Sequence, residues 1–105
     1  MLQTFTFYTQ TGNKMSEPKY VIYKITNLLT KRYYVGKHKT TKIDDWYYGS
    51  CIELQNDIKK HGKENFRKDI LHVYKKESTM KRREKLIVNR EFCMNPKTYN
   101  VRLGG

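Results

Sequence analysis

A strict alternation of side chains begins at residue 20 and constrains the fold more than any other feature of this sequence. In "YVIYKITN", residues 20–27, Val21, Tyr23 and Ile25 fall on one side and the intervening residues on the other. A period of two is that of a β-strand with two distinct faces. A polar turn leads from there into "RYYVGK", a second run rich in strand-forming residues. The pattern therefore predicts an antiparallel hairpin.

The chain between the hairpin and residue 74 predicts a loop, a helix and one more strand. Residues 38–49, "HKTTKIDDWYYG", have no sustained period and are interpreted as an irregular loop on the active face. Ser50 is expected to cap a helix over "CIELQNDIKKH", and Gly62 is expected to end it. "FRKDILHVY", residues 66–74, then predicts a third strand beside the hairpin.

The last third of the chain predicts a second helix. It covers "TMKRREKLIVNREF" from Thr79, and a short final segment, "KTYNVRLGG", follows the turn signal at Asn95 and Pro96. The expected fold class is α+β, a small three-stranded, mainly antiparallel β-sheet flanked by helices. A length of 105 residues fits one domain, assigned to residues 18–105, and residues 1–17 are interpreted as an N-terminal extension.

Charge points to a polyanionic partner. The chain has 22 Lys and Arg against 10 Asp and Glu, a formal net charge of +12. Clustered cations gain affinity for phosphate backbones by releasing condensed counterions. No apolar run approaches the ~18 residues that span a bilayer, and no leader peptide is recognisable. We therefore expect a protein that stays in the cytoplasm. Its expected partner is a nucleic acid, and we expect no association with a membrane.

The cysteines and histidines predict neither a disulfide framework nor a zinc site, and the aromatic residues have two possible roles. Cys51 and Cys93 belong to no CxxC pair and are expected to be buried thiols. The three histidines lack the spacing of metal ligands, so no zinc site is predicted. Nine tyrosines stand among basic residues, where they either stack on bases or pack the sheet. Packing is the default interpretation.

Two carboxylates interrupt the apolar stripe of the second helix. A rotation of ~100° per residue places Met80, Glu84, Ile87, Val88 and Glu91 on one side. A buried carboxylate needs a cationic partner, hydrogen-bond donors or a metal ion. Either these residues pair with neighbouring Arg and Lys, or one of them binds a hard cation such as Mg²⁺, which uses only one or two protein carboxylates. Helical spacing does not choose between Glu84 and Glu91.

"VIY" at residues 21–23 and "YVG" at residues 34–36 resemble the two motifs of the GIY-YIG nucleases, whose tripeptides lie on adjacent strands of a hairpin. Tyr34 follows Tyr23 by eleven residues, a typical separation, and Val21 replaces the first glycine. Successive segments of the phage-type and mobile-intron branch of the family are similar to "YVGKHKT", "DDWYYGS", "IKKHGKENFRKDIL", "RREKLIVNREF" and "YNVRLGG". The resemblance covers residues 19–105.

The resemblance implies a metal-dependent DNA endonuclease of homing type, encoded by a phage or mobile element. Tyr23 is expected as general base, Tyr34 as the group that orients water or phosphate, and His38 as an alternative base. Glu84, rather than Glu91, is expected to hold a single divalent ion, Mg²⁺ or Mn²⁺. The residues expected to bind substrate are Gly36, Lys37, Lys42 and Asn100.

One departure from the family keeps a second function open. Family members usually carry an Arg about ten residues beyond the second motif tyrosine, but no Arg lies between Arg32 and Arg67 here. His38, Lys37 or Lys42 is expected to supply the missing charge. The alternative is a catalytically impaired nucleic-acid-binding module that keeps the fold; a basic RNA-binding protein rests on charge alone.

The remaining expectations concern partners. Homing-type relatives attach a DNA-binding region after the nuclease domain, and none follows Gly105. Three alternatives stay open: a free-standing nuclease with loose specificity, a nuclease that acts with a separate DNA-targeting partner, or a truncated remnant. The chain is expected to act as a monomer or a transient dimer on DNA.

Overall fold

A computed structural model describes residues 17–101. The predicted N-terminal extension lies outside this range except for Glu17, and so do the last four residues. The elements in chain order are β1 (Lys19–Asn27), β2 (Tyr33–Thr40), α1 (Ile52–His61), a 3₁₀ turn (Lys63–Asn65), β3 (Phe66–Tyr74), α2 (Glu77–Ile87) and α3 (Arg90–Met94). The predicted α+β class and three-stranded sheet are confirmed.

The sheet has the strand order β2-β1-β3, and both pairings are antiparallel. In the hairpin, Tyr23 lies opposite Gly36 and Ile25 opposite Tyr34. β2 runs three residues further than predicted, through Thr40, so His38 lies on a strand rather than in a loop. Its extension is paired with the start of β1, where Val21 faces His38.

Each face of the sheet covers its own core. The side that carries Val21, Tyr23 and Ile25 packs against Leu54 and Ile58 of α1 and is called the tyrosine face below. The side that carries Ile22 and Val35 packs against Met80 of α2 and against Val88, and is called the aliphatic face. Helices therefore cover both faces of the sheet, which keeps the alternation of β1 apolar on either side.

The predicted helix over residues 79–92 is wrong in its continuity. α2 ends at Ile87, and Asn89 begins α3 by accepting a hydrogen bond on Oδ1 from the backbone N of Phe92 at 3.0 Å. Asn is favoured at such a cap and disfavoured inside a helix, which explains the break. Glu91 consequently leaves the stripe and is exposed, whereas Glu84 is buried. The fold therefore distinguishes Glu84 from Glu91, which helical spacing alone could not do.

The ends of α1 were predicted half correctly. Gly62, at φ 92°, ends the helix as expected. Cys51 rather than Ser50 is the N-cap, and no side chain caps the first turn. Neither Cys51 nor Cys93 is part of a disulfide within the described residues, and both are half-buried rather than buried as expected.

The segment after α3 covers part of the outer edge of β2. The backbone N of Tyr33 donates to the Lys97 carbonyl at 2.9 Å, and the N of Tyr99 donates to the Tyr33 carbonyl at 2.8 Å. The Asn100 side chain continues this pairing, because it accepts from the Val35 N at 3.0 Å and donates to the Val35 O at 2.8 Å. Covering an edge in this way leaves fewer unpaired backbone groups.

Within residues 17–101, no helix is long and apolar enough to cross a membrane.

Candidate active site

A cleft of about 650 Å³ opens at the edge of β2, where the covering segment ends. The tyrosine face contributes Tyr34 and the start of α1, and the aliphatic face contributes Lys37 and Glu84. The walls are formed by Tyr34, Lys37, Ser50, Cys51, Ile52, Glu53, Glu84, Tyr99, Asn100 and Val101. The cleft thus joins groups from both sides of the sheet.

Glu84 places a carboxylate in this cleft from the buried side of α2. Its side chain is 8% exposed, and Lys37 Nζ lies 3.4 Å from Oε1. Desolvating a carboxylate is costly, and a nearby ammonium offsets part of that cost. Pairing with a basic residue, one of the two alternatives that the sequence left open for Glu84, is therefore present, and the pair lies in the cleft.

The two motif tyrosines lie side by side on the tyrosine face. Their ring centroids are 6.2 Å apart, Tyr23 is 1% exposed and Tyr34 is partly buried. Burial raises the pKa of both phenols, that of Tyr34 to about 12. Each phenol also acts on the other: Tyr34 adds to the increase in the pKa of Tyr23, and Tyr23 offsets part of the increase at Tyr34. Tyr34 is the phenol that reaches the cleft.

Two glycines make room for the Tyr23 hydroxyl. A Cβ on Gly36 would lie 2.6 Å from Tyr23 Oη, and a Cβ on Gly49 would lie 2.7 Å from the same atom. Gly49 also has φ +81°, which disfavours any residue with a side chain. Gly36, expected at the substrate, is therefore a position where the protein's own tyrosines approach the backbone.

His38 and Lys42 are not among the residues that wall the cleft. His38 lies 3.0 Å from Asp45 Oδ2 through Nε2 and stacks on Tyr47 with ring centroids 3.9 Å apart. Lys42 is exposed in the loop after β2, where its backbone N donates to Thr40 Oγ1 at 2.9 Å. Of the three residues expected to replace the family Arg, the structure brings only Lys37 next to Glu84.

Arg32 and Asn100 hold the chain that borders the cleft. Arg32 binds Glu53 at 2.7 Å, donates to the Thr98 carbonyl at 3.2 Å and lies 4.1 Å over the Tyr99 ring. Asn100 lines the cleft, but its amide oxygen and nitrogen both bond to Val35. These contacts position β2, the strand that carries Tyr34.

A partly buried ion pair that the sequence did not predict supports the tyrosine face. Lys68 of β3 is 7% exposed and lies 3.2 Å from Asp45 Oδ1 and 5.0 Å over the Tyr23 ring. Desolvation raises the pKa of Asp45, but hydrogen bonds from Thr40, His38, Tyr47 and Lys68 outweigh it and hold the pKa well below its usual range. The sequence does contain one sign of this ion pair. Lys68 is a charged residue that lies between Phe66 and Ile70 on the core-facing side of the predicted third strand.

Comparison with known proteins places these features in a family context. The family model described as "Putative endonuclease segE, GIY-YIG domain" matches residues 4–99. "Putative endonuclease segC" of Enterobacteria phage T4 is 46% identical over 92 residues, 87% of this chain and 46% of that protein. "Endonuclease segA" of the same phage is 39% identical over 90 residues, 85% of this chain and 41% of that protein. The chain spans less than half the length of these curated relatives, and no solved structure matches it.

Proposed function

Since the chain belongs to the GIY-YIG family, we propose that it is a phage-type, metal-dependent DNA endonuclease that hydrolyses phosphodiester bonds. The observation that carries the proposal is Glu84, a carboxylate at 8% exposure that lines the same cleft as Tyr34. A net charge of +12 supports a polyanionic substrate. DNA is proposed because the relatives' names describe endonucleases.

The donor set fits a divalent ion that has a single protein ligand. Among residues 17–101, no group of three or more His, Cys, Asp or Glu is arranged to hold a metal ion. Mg²⁺ commonly keeps several waters and binds one or two carboxylates together with substrate phosphates. The Lys37 ammonium lies 3.4 Å from Glu84 Oε1, and this pairing with a cation supports a cation-binding role for the carboxylate. Bound at Glu84, Mg²⁺ or Mn²⁺ would neutralise phosphate charge and stabilise the leaving 3′-oxygen.

The burial of the two tyrosines supports roles that differ from those implied by the resemblance. Tyr34 reaches the cleft, and we assign it the contact with the attacking water or the phosphate. Tyr23 is 1% exposed, packs beside Tyr34 with ring centroids 6.2 Å apart and does not wall the cleft, so we assign it a positioning role. A phenol with a pKa of about 12 is protonated at neutral pH and orients water by hydrogen bonding.

Three basic residues are assigned to the substrate and its surroundings. Lys37, in the cleft, is placed to bind the scissile phosphate once its pairing with Glu84 is relaxed. Lys42 is exposed and is proposed to contact the DNA backbone. His38, held between Asp45 and Tyr47, is proposed to support the loop after β2.

We place the activity in the host cytoplasm and assign target choice to a separate DNA-targeting partner. A single metal site cuts one strand at a time. The chain would therefore nick as a monomer and break both strands only as a transient dimer or after reorienting on DNA.

Supercoiled plasmid tests the proposal directly. Wild-type protein is expected to nick it with Mg²⁺ and not with chelator. Glu84→Gln keeps the size of the side chain and removes its charge, and we expect a loss of at least about 100-fold in nicking rate. Glu91→Gln, on the exposed surface of α3, is the matched control and should cleave normally.

Circular dichroism and salt-dependent DNA binding should be unchanged in both variants. Unchanged nicking by Glu84→Gln would contradict the assignment of that residue. A wild-type protein that binds DNA without nicking it would instead support the impaired binding module.

A further inference from the structure

Two exposed aromatic side chains stand beside the proposed cleft. Trp46 and Tyr47, called the aromatic platform below, lie in the loop between β2 and α1 and are each 40% exposed. Cys51, which walls the cleft, follows Tyr47 by four residues, at most about 14 Å of extended chain. Exposed apolar groups rimmed by polar ones mark interaction surfaces.

The platform is held in place before any partner binds. Tyr47 stacks on His38 with an interplanar angle of 9°, and Asp45 fixes His38 at 3.0 Å. The Lys68 ammonium donates to the Tyr47 carbonyl at 2.8 Å, which ties the loop to β3. The Trp46 ring packs edge-on against Tyr48 at 6.0 Å. Rings that are already ordered lose little conformational entropy on binding. Little of the free energy gained from contact with them is therefore offset by the cost of ordering the side chains.

Charge around the platform favours a nucleic acid over a protein. The Lys63 ammonium lies 4.5 Å over the Trp46 ring. An apolar protein partner that covered the ring would also bury this ammonium without a counter-charge, which is costly. A nucleotide offers a base for the ring and a phosphate for the ammonium. Stacking of a base on an aromatic side chain contributes about 1–3 kcal/mol. Bases inside a duplex already have both faces stacked, so only an unstacked base has a face to offer.

We propose that Trp46 and Tyr47 stack on an unstacked base of the DNA bound in the cleft, so that the protein favours DNA with an unpaired nucleotide near the phosphate it contacts. The proposal rests on DNA being the substrate of the cleft. Lys63 would bind the phosphate next to that base. Direct stacking of this kind depends little on base identity.

Trp46 provides its own probe, since it is the only tryptophan in the chain. Wild-type protein in chelator, where no cleavage is expected, is titrated with a short duplex and with the same duplex carrying one bulged nucleotide. We expect about tenfold tighter binding of the bulged duplex and stronger quenching of the Trp46 emission by it.

Variants separate stacking from general adhesion. Trp46→Leu keeps an apolar side chain without an aromatic face and should bind both duplexes with equal affinity, while Trp46→Phe should retain most of the preference. Leu86→Ala removes an exposed apolar side chain of α2, itself 64% exposed, and should leave the preference unchanged. Anisotropy of labelled DNA measures all the variants in the same way.

Equal affinity of wild type for the two duplexes would overturn the proposal, as would a Trp46→Leu variant that keeps the preference. The titration needs no catalysis, so it is independent of the plasmid assay. A preference for the bulged duplex without nicking would uphold the platform and refute the nuclease.

Discussion

The two faces of the sheet are built by different means. On the aliphatic face, Ile22, Val35, Met80 and Val88 form a small cluster stabilised by burial of apolar surface alone. On the tyrosine face, the core contains hydroxyl groups and charges that bond to one another. Tyr99 Oη, for example, accepts from Asn27 Nδ2 at 3.1 Å and donates to Asp57 at 2.8 Å. Such a network fixes positions more narrowly than apolar contacts do.

The difference shows why the cleft lies between the faces. The tyrosine face supplies groups whose partners lie within the protein, as Tyr23, Asn27 and Lys68 do. The aliphatic face supplies Glu84, a buried carboxylate that pairs with Lys37, and Lys37 also lines the cleft. The tyrosine face has a rigid polar network, which suits the positioning of the reacting groups. The aliphatic face has a charge open to the cleft, which suits the binding of a cation.

Among the substitutions that test the contrast between the two faces, the largest effect is expected at the two motif tyrosines. Tyr34→Phe should lower the nicking rate about 100-fold, because it removes the hydroxyl that reaches the cleft. Tyr23→Phe removes a buried hydroxyl behind it and should cost about tenfold in rate and about 1 kcal/mol in stability. Plasmid nicking and thermal unfolding of both variants measure this. A larger rate loss for Tyr23→Phe would return the general-base role to Tyr23.

The next largest effect concerns the ion pair beneath the tyrosine face. Lys68→Met leaves the partly buried Asp45 without its ammonium and frees the loop, so we expect a loss of about 2–3 kcal/mol from the free energy of unfolding. Asp45 is 29% exposed, which keeps the loss below that of a fully buried pair. Urea unfolding measures the change. Lys81→Met, at an exposed pair with Glu77, is the control and should cost under about 1 kcal/mol.

A third prediction tests the close contact at Gly36. Gly36→Ala brings a Cβ to 2.6 Å from Tyr23 Oη and 2.8 Å from Tyr34 Cε2, and we expect a cost of about 2 kcal/mol. In a double-mutant cycle with Tyr23→Phe, which removes Oη, the second substitution should recover part of the loss. Strictly additive unfolding energies would show that the two groups do not meet.

β1 and β3 were predictable from local pattern, whereas the end of β2 and the break between α2 and α3 were not. β3 has the predicted bounds because nine consecutive residues follow the strand pattern and a glycine-containing turn precedes them. The helix over residues 79–92 was predicted as one piece because Glu84, Val88 and Glu91 continue its period. The break depends on a single cap at Asn89, which periodicity does not register.

The site divides in the same way. Tyr23, Tyr34 and Glu84 were predicted because the resemblance names their positions, and the structure brings Tyr34 and Glu84 to one cleft. The contacts that position them join distant parts of the chain. Lys68 reaches Asp45 over 23 residues, and Asn100 reaches Val35 over 65. No local pattern in the sequence identifies such pairs.

The smallest effect we predict tests whether the aliphatic side can be weakened without touching the chemistry. Asn89→Ala removes the Oδ1 that caps α3 and should cost about 1 kcal/mol of stability. Asn89→Ser keeps a capping oxygen and should recover most of that loss. Nicking by both variants should equal that of wild type, because α3 contributes no residue to the cleft walls. Urea unfolding measures the stability of the two variants, and the plasmid assay measures their nicking rates. A lower nicking rate for Asn89→Ala would show that the position of Glu84 depends on this cap as well as on α2.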